Sequence, residues 1–123
     1  MIRAGAGALV ALLLAAAPAL AQSVDPRVAE ALRVEWQRTT DRPGIEGFVY
    51  NDSSYRIGLV RLQIMSREDP GQAPTPMLAW VYGNVPARSR WPFSVRVPRT
   101  REVISVAIES FHLIAREPPA ESP

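Results

Sequence analysis

The chain has 123 residues, 47% of them hydrophobic and 21% charged, a composition typical of a folded domain and not of a disordered chain or a membrane bundle. Its 14 basic residues, all arginine, nearly balance 12 acidic ones, so we expect no nucleic-acid partner. The absence of cysteine excludes disulfides, thiolate catalysis and thiolate-held metals, and the single histidine excludes multi-histidine metal sites within one chain.

Residues 1–21 have the pattern of a bacterial signal peptide. Arg3 precedes an apolar stretch over residues 4–17, Pro18 interrupts it, and Ala19-Leu20-Ala21 is the small-x-small site that a signal peptidase needs. We therefore expect a periplasmic or secreted protein with no transmembrane segment after cleavage. The alternative is a retained anchor, although the 18 residues 4–21, rich in Ala and Gly, are marginal for spanning a bilayer.

The next segments predict a short helical turn and then strands. Residues 22–31 are interpreted as a linker and a helical turn, because Asp25 is a good N-cap and Pro26 suits the first helical position. Apolar residues then alternate with polar ones in six segments separated by turn residues, which predicts strands at 32–37, Ile45–Asn51, 57–65, 77–82, 91–97 and 103–114.

Three of these segments carry further detail. Around Gly58 the alternation changes parity, which predicts a β-bulge or an edge kink. Pro92 and Pro98 lack the N–H needed for a sheet ladder, so the 91–97 strand is expected at an edge. In the last strand, Ile104, Val106 and Ile108 are expected to share the inward face, until a slip at Glu109-Ser110 brings in Phe111 and Leu113.

Six short strands without a long helix hide their apolar faces by packing as two sheets. The predicted fold is therefore all-β: a single immunoglobulin-like antiparallel β-sandwich of about six or seven strands over residues 32–114. Residues 115–123, polar and rich in proline, are expected to form a disordered tail.

The segment Gly47-Phe48-Val49-Tyr50-Asn51 resembles the G-x-V-x-N opening of FxLYD-type domains. The V-x-L-x-V, proline-turn and x-F-x-V positions of that family correspond to residues 60–64, Val85-Pro86 and Phe93-Ser94-Val95. The resemblance implies a small immunoglobulin-like sandwich of exported bacterial proteins, similar in outline to the water-stress (LEA-type) sandwiches. It implies no catalytic residues.

Arginines are concentrated near the C-terminal end of the predicted sandwich. Five of them lie within 14 positions that contain no acidic residue: Arg88, Arg90, Arg96, Arg99 and Arg101. One interpretation is a docking patch for an anionic envelope component or an acidic protein, because guanidinium groups match phosphate and carboxylate. The other is a charged edge that prevents edge-to-edge pairing of strands.

Aromatic residues give a second candidate site. Trp36 and Trp91 occupy inward positions and are expected in the core. Trp80 and Tyr82 share one face of a short strand, and because large residues are few we expect them in the core as well. If that face is uncovered, the two rings would suit stacking on sugar rings or docking of a partner.

Catalytic constellations are missing from the sequence. His112 is predicted to be a surface residue near carboxylates, no serine has the context of a nucleophile, and no metal site or cofactor is expected. We therefore expect no enzyme but a non-catalytic accessory module of the bacterial envelope, monomeric or weakly associating, that docks a protein or an anionic component. The alternatives are a carbohydrate-binding module and a structural or stress-protective domain without a ligand.

Overall fold

The structure, a computed structural model, describes residues 26–119; the predicted leader, residues 22–25 of the linker and the last four residues lie outside them. The described chain forms one short helix and six strands: α1 (Pro26–Glu30), β1 (Leu32–Arg38), β2 (Ile45–Asn51), β3 (Tyr55–Arg67), β4 (Thr75–Val81), β5 (Ser89–Val95) and β6 (Glu102–Arg116). All six predicted strands are present, and so is the helical turn.

The six strands form two three-stranded antiparallel sheets. In one sheet the order is β1-β2-β5, and in the other it is β4-β3-β6. The two central strands, β2 and β3, are consecutive in the chain, and β5 lies at an edge, as predicted from its prolines. The prediction of an all-β fold with two antiparallel sheets is confirmed.

The core lies between the two sheets and draws most heavily on the two central strands. Ile45 and Val49 of β2 face Leu62 and Ile64 of β3, and all four side chains are completely buried. Edge strands cover this centre with half-buried side chains, among them Trp36 of β1 and Trp91 of β5. The prediction of Trp36 and Trp91 as core residues is therefore confirmed.

Irregular pairing interrupts β3 and β6. The bulge predicted at Gly58 is present, because the register with β6 shifts there and Leu59 takes a positive φ of 48°. A second shift, where Met65 pairs with Ser105 but Ser66 pairs with Val103, leaves Ile104 without a partner on β3. The expectation that Ile104 faces inward is wrong, since 40% of its surface is exposed.

One buried side chain closes the sandwich at the end of β2. Asn51, with no exposed surface, shares the two N–H groups of Nδ2 among the carbonyl oxygens of Tyr55, Val85 and Pro86, which lie 2.7, 3.2 and 3.1 Å away. Its Oδ1 accepts hydrogen bonds from the N–H and the hydroxyl of Ser53. The side chain thereby joins the β2–β3 turn to the segment before β5.

The C-terminal end of the domain extends beyond the predicted boundary at residue 114. β6 continues to Arg116, and the N–H of Glu117 donates to the carbonyl of Ser54 at 2.7 Å. The Glu117 carboxylate accepts from Arg56 Nε at 2.7 Å and from the N–H of Ala87 at 2.9 Å. Residues 115–117 therefore belong to the fold and not to a disordered tail. Within residues 26–119, no helix has the length and apolar character needed to cross a membrane.

Candidate functional site

Exposed hydrophobic side chains are concentrated on one of the two sheets. Seven large ones are exposed within residues 26–119, and each lies on β3, β4 or β6 or directly after β4. We use the name open face for the outward side of the β4-β3-β6 sheet, defined by six of them: Leu59, Leu78, Trp80, Tyr82, Ile104 and Ile114. The seventh, Leu113, pairs with the buried Ile57 and belongs to the inward register.

Alternation along β4 positions the central residues of the open face. Met77, Ala79 and Val81 pack against the core, so Leu78 and Trp80 point outward, each 48% exposed. Tyr82 continues the same alternation one residue beyond the strand and is 85% exposed.

Trp91 holds the turn that follows Tyr82. The indole N–H of Trp91 donates to the Tyr82 carbonyl at 2.7 Å. Gly83 follows with a φ of 96°, and a Cβ at this position would lie 2.8 Å from the Trp91 ring. Glycine is therefore required here, and the packed indole holds the backbone that presents Tyr82.

Three aliphatic residues of the open face are placed by bulges and not by regular alternation. Leu59 and Ile104 lie at register shifts between β3 and β6, and so does Ile114, between the paired residues Leu113 and Ala115. The Ile114 side chain lies against Gly58, with Cδ1 3.0 Å from the position that a Cβ would take there. Bulges redirect side chains in this way.

The charged groups of the open face are paired with one another. Arg61 Nε lies 2.7 Å from Glu109 Oε1, and the Arg61 guanidinium stands over the Trp80 ring at 5.3 Å from its centroid. Arg67 and Glu102 form a second pair at 3.0 Å. These four charges sum to zero, so the face attracts neither anions nor cations strongly.

The outward side of the other sheet, which we call the arginine–aromatic face, is covered by its own side chains. Arg33 stacks over Tyr50 at 3.9 Å, and Arg90 stacks over Phe48 at 4.2 Å. The Tyr50 hydroxyl donates to Glu35 Oε1 at 3.0 Å, and Arg33 forms an ion pair with Glu35 at 2.7 Å. Both rings therefore already have cationic partners.

An open groove of about 620 Å³ runs over the arginine–aromatic face between Gln37 and Tyr50. Hydrogen bonds from Arg33 and then Tyr50 lower the pKa of Glu35 below its ordinary value of 4.5. Glu46, farther along the groove, accepts from Gln37 at 3.3 Å and from Arg42 at 3.4 Å. The acidic groups of the groove are thus bound within the protein.

The structure divides the five clustered arginines among separate places. Arg88 precedes β5 and Arg96 follows it, which places them roughly 25 Å apart along the strand. Arg90 stacks on Phe48, and Arg99 lies exposed in the β5–β6 connection.

Two of the five arginines form hydrogen bonds with residues elsewhere in the fold. Arg88 Nη2 donates to the Glu117 carbonyl at 2.7 Å. Arg101 donates to the Ser66 hydroxyl at 2.9 Å and to Thr75 Oγ1 at 3.0 Å, and it lies 3.4 Å from Glu68. The single docking patch suggested by the sequence is therefore not assembled as one surface.

Both aromatic candidates lie on the open face. The expectation that Trp80 and Tyr82 fill the core is wrong; the alternative of an uncovered face describes them correctly. His112 is exposed on β6, as predicted. The sequence reasoning missed Leu78, although its alternation with Met77 and Ala79 was visible. It also missed Ile104 and Ile114 as exposed residues, because no sequence signal marks their bulges.

Among residues 26–119, no group of three or more His, Asp or Glu side chains is arranged to hold a metal ion. No protein-family model, curated protein or solved structure matches this sequence. The resemblance to FxLYD-type domains stays a prediction.

Proposed function

We propose that this chain is a non-catalytic, exported binding module of the bacterial envelope that docks a protein through its open face. The observation that carries the proposal is a difference between the two sheets in the exposure of their outward side chains. Phe48 and Tyr50 on one sheet are half-buried under arginines at 4.2 and 3.9 Å, whereas Trp80 on the other sheet, with Arg61 farther away at 5.3 Å, stays 48% exposed beside exposed aliphatic side chains. Exposed apolar side chains concentrated on one sheet face mark an interaction site.

The chemistry of the open face favours a protein partner. Sugar sites combine aromatic rings with polar groups, but four of the six residues that define this face are aliphatic. Aliphatic and aromatic side chains with few unpaired charges are typical of the central part of a protein–protein interface. An anionic partner is less favoured, because Arg61 and Arg67 are paired with carboxylates.

We also propose an immunoglobulin-like arrangement of the strands and an exported location. The chain crosses between the sheets after β2, after β4 and after β5, which supports an immunoglobulin-like arrangement. The FxLYD-type assignment rests on the sequence resemblance alone. Export through the leader at residues 1–21 would bring the domain into the periplasm or the medium.

Site-specific photo-cross-linking in the native host tests the docking surface. p-Benzoylphenylalanine is introduced at Trp80, in the middle of the open face, and at Gln37, an exposed position on the opposite sheet, as the matched control. Irradiation is expected to give a discrete protein adduct from position 80 and none from position 37. Absence of any protein adduct at 80, or equal adducts at both positions, would overturn the proposal.

Carbohydrate binding is the second candidate, favoured by the exposure of the Trp80 and Tyr82 rings. Affinity electrophoresis through gels that contain peptidoglycan fragments or lipopolysaccharide tests it. Retardation that is lost in both Trp80→Ala and Tyr82→Ala, without a protein adduct at position 80, would replace protein docking with sugar binding. A domain that fails both tests would correspond to the ligand-free structural alternative.

A further inference from the structure

We infer that the protein docked on the open face is a second copy of this chain, and that two copies pack face to face around a two-fold axis that runs along β3. This inference rests on the proposed function, because it names the partner of the same surface. It is supported by the shape, the charge and the size of the open face.

The middle of the open face is high along its β4 edge and low along its β6 edge. Two rows of paired residues cross the sheet from β4 to β6: Trp80–Arg61–Ser110 and Leu78–Gln63–Ala107. In each row the β4 edge carries a large hydrophobic side chain, and the β6 edge carries a serine or an alanine. At these two rows the face therefore has a ridge over β4 and a depression over β6, while Ile104 and Ile114 of β6 lie beyond the rows, toward the two ends of the face.

A two-fold axis in the interface plane and parallel to β3 places the β4 edge of each copy over the β6 edge of the other. Leu78 of one copy then faces Ala107 of the second, and the reverse contact is equivalent by symmetry. Gln63 and Arg61 of β3 both lie close to the axis. The Gln63 amide can pair with the same amide of the other copy, and each Arg61 is held by Glu109 on the β6 side, which is on opposite sides of the axis in the two copies. A symmetric dimer requires a face that is complementary to itself. Docking of an unrelated partner has no such requirement.

The charges allow two identical faces to approach. Arg61 is balanced by Glu109 at 2.7 Å and Arg67 by Glu102 at 3.0 Å, so each face brings no net charge from these groups to the contact. The arginine–aromatic face, by contrast, is already occupied by its own stacked guanidinium groups.

The size of the open face fits a weak dimer. Its six defining side chains are 40–85% exposed and present several hundred Å² of apolar surface, close to the roughly 800 Å² that one partner buries in a standard interface. Interfaces below the standard size are typical of weak and transient contacts, and we expect a dissociation constant in the micromolar range.

Sedimentation of the processed protein, produced from the full-length chain, tests the inference. The wild type is expected to change from monomer to dimer across the micromolar range. Leu78→Arg and Ala107→Glu are each expected to raise the dissociation constant by about tenfold or more. Gln37→Glu, which makes the same charge change as Ala107→Glu but on the opposite sheet, leaves it unchanged, and thermal denaturation verifies that each variant is folded.

Mixing the two disruptive variants tests the arrangement itself. One copy with Leu78→Arg and one with Ala107→Glu have opposite charges at one symmetry-related contact and wild-type residues at the other. The mixture is expected to dimerise more tightly than either variant alone. Lack of recovery, or a dimer weakened by Gln37→Glu instead, would overturn the two-fold arrangement.

Two measurements separate absence of the dimer from absence of protein docking altogether. A wild type that stays monomeric up to about 1 mM, together with a cross-link from position 80 to a different protein, refutes the dimer and retains protein docking. A monomer without any protein adduct refutes both.

Discussion

Gly47 shows how a single residue sets the spacing of the first sheet. It lies on β2 opposite Trp36 of β1, and a Cβ at this position would overlap the Glu35 carbonyl oxygen and come within 2.8 Å of the Trp36 Cα. Both are backbone atoms, so no side-chain rotation relieves the contact. The glycine of the G-x-V-x-N segment is therefore needed for the close approach of β1 and β2.

Replacing Gly47 is expected to weaken the first sheet. Gly47→Ala should lower the free energy of unfolding by about 2 kcal/mol or more, because β1 must move away from β2. The measurement is urea denaturation followed by circular dichroism. Gly71→Ala is the matched control, since nothing lies within 4 Å of a Cβ at that position. The free energy of unfolding of Gly71→Ala should be unchanged or higher by up to about 1 kcal/mol. Equal losses of stability in both variants would contradict this account.

At the scale of elements, the bulge in β3 holds Leu59 in an unfavourable backbone conformation. Its φ of 48° is in the left-handed region, which L-residues other than Asn and Asp seldom adopt. The side chain is 56% exposed and gains little from the core in return. The leucine therefore contributes more to the apolar surface of the open face than to the stability of the strand.

Relief of this backbone strain is expected to stabilise the protein. Leu59→Asn should raise the free energy of unfolding by about 1 kcal/mol, because asparagine tolerates the left-handed region. Leu59→Ala keeps an unfavourable φ and should bring no gain, so the pair separates backbone strain from loss of the side chain. Chemical denaturation of the three proteins measures both effects. Destabilisation by Leu59→Asn would show that the leucine is needed by the fold.

The sequence predicted the strands because each one alternates apolar and polar residues, but it did not predict all the bulges. Ile104 shares the alternation of Val106 and Ile108, yet the extra residue in β6 puts it outside the core. Such an insertion depends on how two distant strands pair, which the local pattern of β6 does not contain. Gly58 was an exception, because a glycine and a change of parity marked the bulge directly.

Glu117 connects the end of β6 to two other parts of the chain. The hydrogen bond from the N–H of Ala87, followed by the one from Arg56, lowers the pKa of this carboxyl below its ordinary value of 4.5. A lowered pKa means that the folded state binds the proton less readily than the unfolded chain does. The stabilisation is therefore complete at neutral pH and is lost as the pH falls from about 4.5 through the folded-state pKa.

This dependence predicts the behaviour of Glu117→Gln. The variant should melt at a lower temperature than the wild type at pH 7, and the two melting temperatures should converge as the pH falls through the folded-state pKa, because the wild-type carboxyl then becomes neutral as well. Part of the acid sensitivity should remain in the variant, because the pKa of Glu35 is lowered too. Thermal denaturation from pH 7 to pH 3 measures this, with the exposed Glu30→Gln as control. A difference that stays constant with pH would contradict the role of the charge.

At the scale of the whole molecule, residues that are neighbours in the sequence do not form one site. The arginines that are close in sequence serve different ends of the fold: Arg88 holds Glu117, Arg90 covers Phe48, and Arg101 binds Ser66. Charge density along the chain therefore predicted one patch where the structure has several contacts. The exposure of Trp80 depended on whether anything covers the β4-β3-β6 sheet from outside, a property of the assembled sandwich.

The contrast between the two faces predicts how association responds to salt. Contact through the open face buries apolar groups and charges that are already paired, so the dissociation constant from sedimentation should change by less than about twofold between 0.1 and 1 M NaCl. Sodium sulfate should strengthen the contact, because excluded salts favour apolar burial. Docking through unpaired arginines would behave in the opposite way, since the screening length falls from about 10 Å to about 3 Å over that range. Weakening by tenfold or more in NaCl would therefore assign the association to the arginines and away from Trp80 and its neighbours.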